Sequence, residues 1–227
     1  MSDAPDGSTK PVMIFGRSTS HFTRVATMFA HELSVPFELV PLLDLRSENV
    51  THYGGNPALK IPSLQVDGLT LFGTDNVCRA LAERAPVRRQ IVWPEDVRDG
   101  IARNAQELAW HGMDAQVQLV AGPVLGNLPA DNGYLTKARL GFEGALGWLD
   151  LHLEHVVSSL PPARDVSFFE VMLLCLVEHL AFRPTLPLAP YPRLTAFAAA
   201  FGARSSAQHT VYRLNSQAHP STQGSRP

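Results

Sequence analysis

The stretch Ser63 to Phe72, SLQVDGLTLF, sets two runs of strand formers around Asp67-Gly68. Asp-Gly favours a two-residue hairpin turn, because both central positions need a positive φ that these residues tolerate. A lone hairpin is marginal in water, so this one has to join a larger sheet and bury one face. Two further apolar runs lie upstream: VMIF, from Val12 to Phe15 and broken by Gly16, and PFELVPLL. Between them Phe22, Val25, Phe29 and Leu33 recur at helical spacing, and Ser18, Thr19 and Ser20 all offer N-caps. Gly54-Gly55-Asn56-Pro57 reads as loop, and TDNVCRALAERA as a helix opened by Thr74 or Asp75. The order strand, helix, strand, loop, hairpin, helix predicts a four-stranded mixed sheet with its helices, ending near Ala85.

Beyond that point the pattern changes. Pro86 to Pro94, PVRRQIVWP, is charged, bounded by prolines and without a sustained period, and reads as a linker. After it, no segment reads as a strand pair. A long helix is predicted from Pro94 onward. A second carries Leu135, Leu146, Leu149 and Leu153, SFFEVMLLCLVEHLAF is a third, and YPRLTAFAAAFG a short fourth. Ser167 and Glu170 have capping-box spacing. The opening ten residues and the polar stretch from Val211 read as frayed ends. The expected architecture is an α/β domain over 11–85 and an all-α helical bundle over 94–210.

Bulk properties narrow the function. Charged residues are 18% of the chain and the formal net charge is −2, which suggests neither nucleic acid nor an anionic membrane as partner. Two cysteines, Cys78 and Cys175, each in an apolar helical pattern, read as buried thiols. The start lacks the pattern of a secretory signal, and no apolar run approaches the ~20 residues of a membrane span, so a cytoplasmic protein is expected. His152 and His155 lie three apart on a helix, but two histidines without a third ligand indicate no metal.

Four stretches carry a resemblance. Asn56-Pro57-Ala58-Leu59-Lys60-Ile61-Pro62 is similar to the Asn-Pro-x-Gly-Lys-Val-Pro of the glutathione transferase family. Thr74-Asp75-Asn76-Val77-Cys78-Arg79-x-Leu81 resembles its Glu-Ser-x-x-Ile-x-x-Tyr-Leu, displaced so that Gly73 stands where the family has an acidic residue. Ser167 to Glu170 resembles the capping box of its helical domain, and Tyr191-Pro192-Arg193-Leu194 with Arg204 to Thr210 its closing helix and tail. The resemblance implies a thioredoxin-like N-terminal domain (βαβαββα), a helical C-terminal domain, and glutathione as co-substrate with no further cofactor.

It also implies roles. In the family the proline at the Pro62 position follows a cis bond, which leaves the backbone of Ile61 to pair with the glutathione peptide as an added strand would. Lys60 would reach the glycyl carboxylate, and Thr74, with Asp75 beside it, the γ-glutamyl end at a helix N-terminus. A hydroxyl and the helix dipole would favour the thiolate. Counting five positions back from Arg24-Val25 gives Thr19 as that hydroxyl, with Ser18 and Ser20 as alternatives. The second substrate, a small hydrophobic electrophile, would lie against Gln106, Trp110, Met113 and Asp114, which share one helix face. The expected function is conjugation of glutathione to such electrophiles, as in detoxification. The alternative is a related binding or interaction protein that has lost the chemistry. A homodimer is the family's habit.

Overall fold

In the computed structural model of this chain, residues 11–129 and 131–214 are described. The expectations for the first ten residues and for the chain beyond Leu214 lie outside them; residues 211–214, expected to fray, are instead held, with the Tyr212 hydroxyl donating to the Cys175 carbonyl at 2.7 Å and its ring under Arg24. Strand β1 (Val12–Gly16) leads into helix α1 (His21–Glu32), strand β2 (Phe37–Pro41), a 3-10 turn (Val50–Tyr53), strands β3 (Ser63–Val66) and β4 (Leu69–Phe72), and helix α2 (Thr74–Glu83). The sheet order is β2-β1-β3-β4, with β1 parallel to β2 and antiparallel to β3. This is the four-stranded mixed sheet that the hairpin and its neighbours predict, in the thioredoxin-like order that the resemblance implies. The middle helix is present as one 3-10 turn, because Val50 to Tyr53 has no apolar stripe to bury. Asn49 caps it and Gly54, at φ +67°, ends it.

The hairpin turns at Asp67 and Gly68, with φ of +49° and +79°. Gly16, at the end of β1, is required for a different reason. A Cβ there would lie 2.3 Å from a Thr23 side-chain carbon, so only glycine lets the strand end approach α1 this closely. The approach lets the Thr23 hydroxyl accept the Arg17 N–H at 3.2 Å, fixing the turn between strand and helix.

The C-terminal region contains α3 (Gly100–Leu125), α4 (Gly133–Ser159), α5 (Phe168–Phe182), α6 (Pro192–Phe201) and α7 (Ser205–His209). The presumed linker is not featureless: β5 (Ile91–Val92) pairs in parallel with β6 (Val166–Ser167). Asp165 secures this pair by accepting the Gln90 N–H at 2.7 Å. A two-residue strand is too short to show a period, which is why the sequence concealed it. Helix α3 begins at Gly100 rather than near Pro94, because the Asp99 carboxylate caps it by accepting the Ala102 N–H at 2.8 Å. At α5, Ser167 caps as expected, accepting the Glu170 N–H at 3.4 Å. Glu170, however, does not reach back: Arg164 holds its carboxylate at 2.7 and 2.8 Å. Among the described residues, no helix is long and apolar enough to cross a membrane.

Helix α1 joins the two halves. Val25, Ala26, Met28, Phe29 and Ala30 are fully buried. Phe29 meets Trp93 and Phe168 at 5.6 and 5.8 Å between ring centres, and the Cys175 thiol lies 3.7 Å from the Met28 sulfur. Polar clasps flank this contact: Arg24 to Glu178 at 2.5 Å, and Arg204 to Glu32 at 2.7 and 2.8 Å. At the helix start, buried His179 of α5 donates from Nε2 to the Thr19 carbonyl at 3.1 Å. Its Nδ1 accepts from the Gln116 amide at 3.2 Å, and that amide also donates to the Arg183 carbonyl at 2.9 Å.

Two consequences are measurable. Burial pushes His179 down to about 4 and holds His21, 4.5 Å away between ring centres, well below its usual value. Both therefore take up protons in the unfolded chain before the folded one. Stability is complete above about pH 6.5 and falls toward pH 4, by about 1.4 kcal/mol per pH unit for each group that stays neutral in the fold. Thermal melts from pH 7 to 4.5 should show this fall, and His179→Gln, less stable at pH 7, should show a shallower one. An unchanged slope would mean that His179 is not held neutral. Gly16→Ala should lower stability by about 1–3 kcal/mol through overpacking against Thr23, read as a lower denaturation midpoint at unchanged slope.

Candidate functional site

The loop from Arg17 to Ser20 is wired on all sides, and the wiring separates its three hydroxyls. Ser18 donates to the Arg213 carbonyl at 2.8 Å and its own carbonyl accepts the Arg213 N–H at 3.4 Å, so it ties the C-terminal segment to the loop. Ser20 is the N-cap of α1, accepting the Thr23 N–H at 3.2 Å. Thr19 accepts from Arg17 Nε at 3.3 Å, while its carbonyl is held by His179. A hydroxyl whose oxygen accepts from a guanidinium keeps its proton for a further acceptor and donates it more strongly. Thr19 stands at the positive end of a helix of three turns, with α1 beginning two residues on.

The segment leading into β3 forms a backbone edge. The Ile61-Pro62 bond is cis. Strand β3 begins only at Ser63, and neither the N–H nor the C=O of Ile61 makes a backbone hydrogen bond among the described residues. The loop before it is braced by buried Asn56, which donates to the Lys60 carbonyl at 2.9 Å and accepts the Ala58 N–H at 3.0 Å. The Pro62 carbonyl accepts the Gly73 N–H at 3.2 Å, so the start of α2 is held beside Ile61. Thr74 is the first residue of α2, and the N–H groups of Thr74, Asp75 and Asn76 are the orphan donors of that helix end.

Gly73 adopts φ +86° and ψ +150°, a conformation open to glycine and strained for other residues. Asp75 has a structural partner: Arg79 donates to it at 2.8 Å and to Glu95 at 2.8 and 2.7 Å while lying over the Trp93 ring. One carboxylate oxygen of Asp75, Oδ1, is buried without a hydrogen bond among the described residues. Asp75 thus belongs to the seam between α2 and the segment before α3.

The proposed second-substrate face divides. Met113 is fully buried, and Gln106 is buried with its amide donating to the Pro94 carbonyl at 3.4 Å, so both are packed into the protein. Trp110 is half-buried and meets Phe22 of α1 at 5.3 Å between ring centres. Asp114 is exposed, yet its carboxyl is pushed up by desolvation and drawn partly back by Lys60. Lys60 and Asp114 are therefore near enough to interact, while Trp110 packs on Phe22 at the start of α1. His152, stacked on Trp148 at 4.0 Å, and His155, at 3.1 Å from Asp99, are occupied elsewhere.

Sequence reasoning missed Arg17, His179 and Arg213 as organisers of the loop. A guanidinium directly before three hydroxyls was a readable signal. His179 and Arg213 were not readable, since each is more than 150 residues from the loop.

Comparison with known proteins agrees with this geometry. Residues 19–84 match the family model for the glutathione S-transferase N-terminal domain. No curated protein sequence matches. Among solved structures, a glutathione S-transferase from Methylobacillus flagellatus KT, with glutathione bound, is 25% identical with a TM-score of 0.70, covering 88% of this chain and 98% of that one. A glutathione transferase family member from Pseudomonas fluorescens Pf-5, also with bound glutathione, is 22% identical with a TM-score of 0.70, covering 89% and 100%. One from Methylobacterium radiotolerans JCM 2831, in complex with glutathione sulfonate, is 20% identical with a TM-score of 0.71, covering 92% and 99%. Residues 19–84 are thus similar to the N-terminal domain of glutathione S-transferases, and the whole chain shares the two-part fold of solved glutathione S-transferases.

Proposed function

We propose that Thr19, Ile61, Lys60, the start of α2 and Trp110 bound a groove that binds glutathione, and that Thr19 donates a hydrogen bond to its thiolate, which then attacks a small hydrophobic electrophile. The observation that carries the reading is the division of labour in the loop. Ser18 gives its proton to the Arg213 carbonyl; Ser20 and Thr19 both accept and keep theirs, but Ser20 accepts from a neutral backbone N–H and Thr19 from the Arg17 guanidinium, which makes Thr19 the stronger donor. In the reaction the bound thiol loses its proton to solvent, sulfur forms a bond to the electrophilic carbon, and the electrophile's leaving group or acceptor atom takes the electron pair. A free thiol has a pKa of about 8.5 and is mostly protonated at neutral pH. A hydrogen bond to a charged acceptor contributes about 1.5–3 kcal/mol, or one to two pKa units, and the α1 dipole acts in the same direction.

Ile61 offers its free backbone to the cysteinyl peptide of the ligand, Lys60 the charge for the glycyl carboxylate, and the first N–H groups of α2 the donors for the γ-glutamyl end. Phe22, Trp110 and the stem of Lys60 form the apolar part of the groove. The glutathione-bound relatives support this placement. A second reading, a binding protein without the chemistry, draws on two observations. Gly73 stands where the family carries an acidic residue, and Asp75 is engaged by Arg79 and does not replace it.

Isothermal titration with glutathione tests the binding. One site per chain is expected, weakened by Lys60→Met, and an absence of heat would remove both readings. Gly73→Glu tests the missing charge. Nothing lies within 4 Å of a Cβ at this position, so the side chain fits, at a cost of about 1–2 kcal/mol for its positive φ. Glutathione should bind about tenfold more tightly to this variant, ~1.4 kcal/mol, despite its lower melting point. Unchanged affinity would place the γ-glutamyl end elsewhere.

A further inference from the structure

A crevice of about 190 Å³ lies between α1, β2 and the C-terminal segment 209–213, and neither Lys60, Ile61 nor Thr74 lines it. Its lining is chemically one-sided. Arg17, Arg24, Arg213, His31 and His209 all contribute, and no aspartate or glutamate does. The volume is well above the ~10–15 Å³ that a single water needs.

The three guanidiniums differ in how far they are already satisfied. Arg24 is buried and paired with Glu178 at 2.5 Å. It also donates to the Ala207 carbonyl at 3.3 Å and the Thr210 hydroxyl at 3.4 Å. Its remaining nitrogen, Nη1, is buried with no hydrogen-bond partner among the described residues. Arg17 donates to Thr19 and to the Leu43 carbonyl and makes no ion pair among the described residues. Arg213 is exposed and meets Ser18 through its backbone alone. The rings of His31 and His209 stack at 5.3 Å and close one side.

Two guanidiniums that make no direct ion pair among the described residues, and a third with a spare buried donor, line a crevice that no described carboxylate lines, which fits a small polyvalent oxyanion. Guanidinium forks match phosphate oxygens in pairs, and a tetrahedral group accepts from several directions at once. We propose that this crevice is a binding site for a phosphate group, separate from the glutathione groove. Phosphate in the crevice draws on Arg17, the same residue that donates to Thr19, so occupancy is communicated to the loop. The assignment rests on the crevice alone and stands whether or not the groove binds glutathione.

The test is isothermal titration of the full chain with inorganic phosphate and, in parallel, with glycerol phosphate, against sodium chloride at equal ionic strength. One site per chain is expected at millimolar phosphate or below. Tighter binding of the monoester marks an organic phosphate as the natural occupant, and equal binding marks the free ion. Arg213→Ala, at an exposed position, should keep the wild-type melting point and bind phosphate about tenfold more weakly, the effect of one charge-assisted hydrogen bond. Saturating glutathione should leave phosphate bound. No heat beyond the chloride control, undiminished binding by Arg213→Ala, or displacement of phosphate by glutathione each overturns the proposal.

Discussion

Everything at this site depends on the burial of α1 from two sides. Its apolar residues fill the space between the sheet and α5, and Arg24 and Glu32 are clasped by Glu178 and Arg204 at its flanks. A helix held in this way cannot rock, so its N-terminus presents the Arg17–Ser20 loop at a fixed place. The loop is then gripped from the helical half by His179 and from the C-terminal segment by Arg213. The orientation of Thr19 is thus a property of the contact between the halves.

The proposed groove combines groups with different tolerances. Ile61 and the start of α2 contribute backbone, and what matters there is the path of the chain: Asn56 braces the loop and Pro62 accepts from Gly73. Thr19 and Lys60 contribute side chains, and there the chemistry of a single atom matters. The departures from the family's motifs fall mostly in the second group. Threonine would supply the proposed sulfur-facing hydroxyl, and Gly73, in a conformation that suits glycine, stands where the resembling motif has a carboxylate. A backbone frame survives such changes, while affinity and reactivity depend on them.

Much of the fold was legible in the sequence because its signals are local. The Asp67-Gly68 turn, the alternation of strand and helix before Ala85 and the helical spacing after it each depend on neighbouring residues. What escaped was short or distant. Ile91-Val92 finds its partner Val166-Ser167 more than 70 residues away, and two residues carry no period. At the site, motif spacing singled out Ile61, Lys60 and Thr74, but it could not divide Ser18, Thr19 and Ser20. That division rests on partners such as Arg213, which no local pattern reveals. Nor could a helical stripe show that Gln106 and Met113 are buried while Trp110 and Asp114 are not, because core and pocket residues share one spacing.

The central claim is that Thr19 lowers the pKa of a thiol bound in the groove. It is tested most directly by following the ultraviolet thiolate absorbance of bound glutathione against pH, in the wild type and in Thr19→Val, which keeps the shape and removes the donor. The account predicts a wild-type thiol titrating one or more units below the free value of about 8.5, and a return toward that value in the variant. A wild-type thiol that titrates as it does in solution would contradict the enzyme reading, and a depressed pKa unchanged by Thr19→Val would move the role to another hydroxyl of the loop.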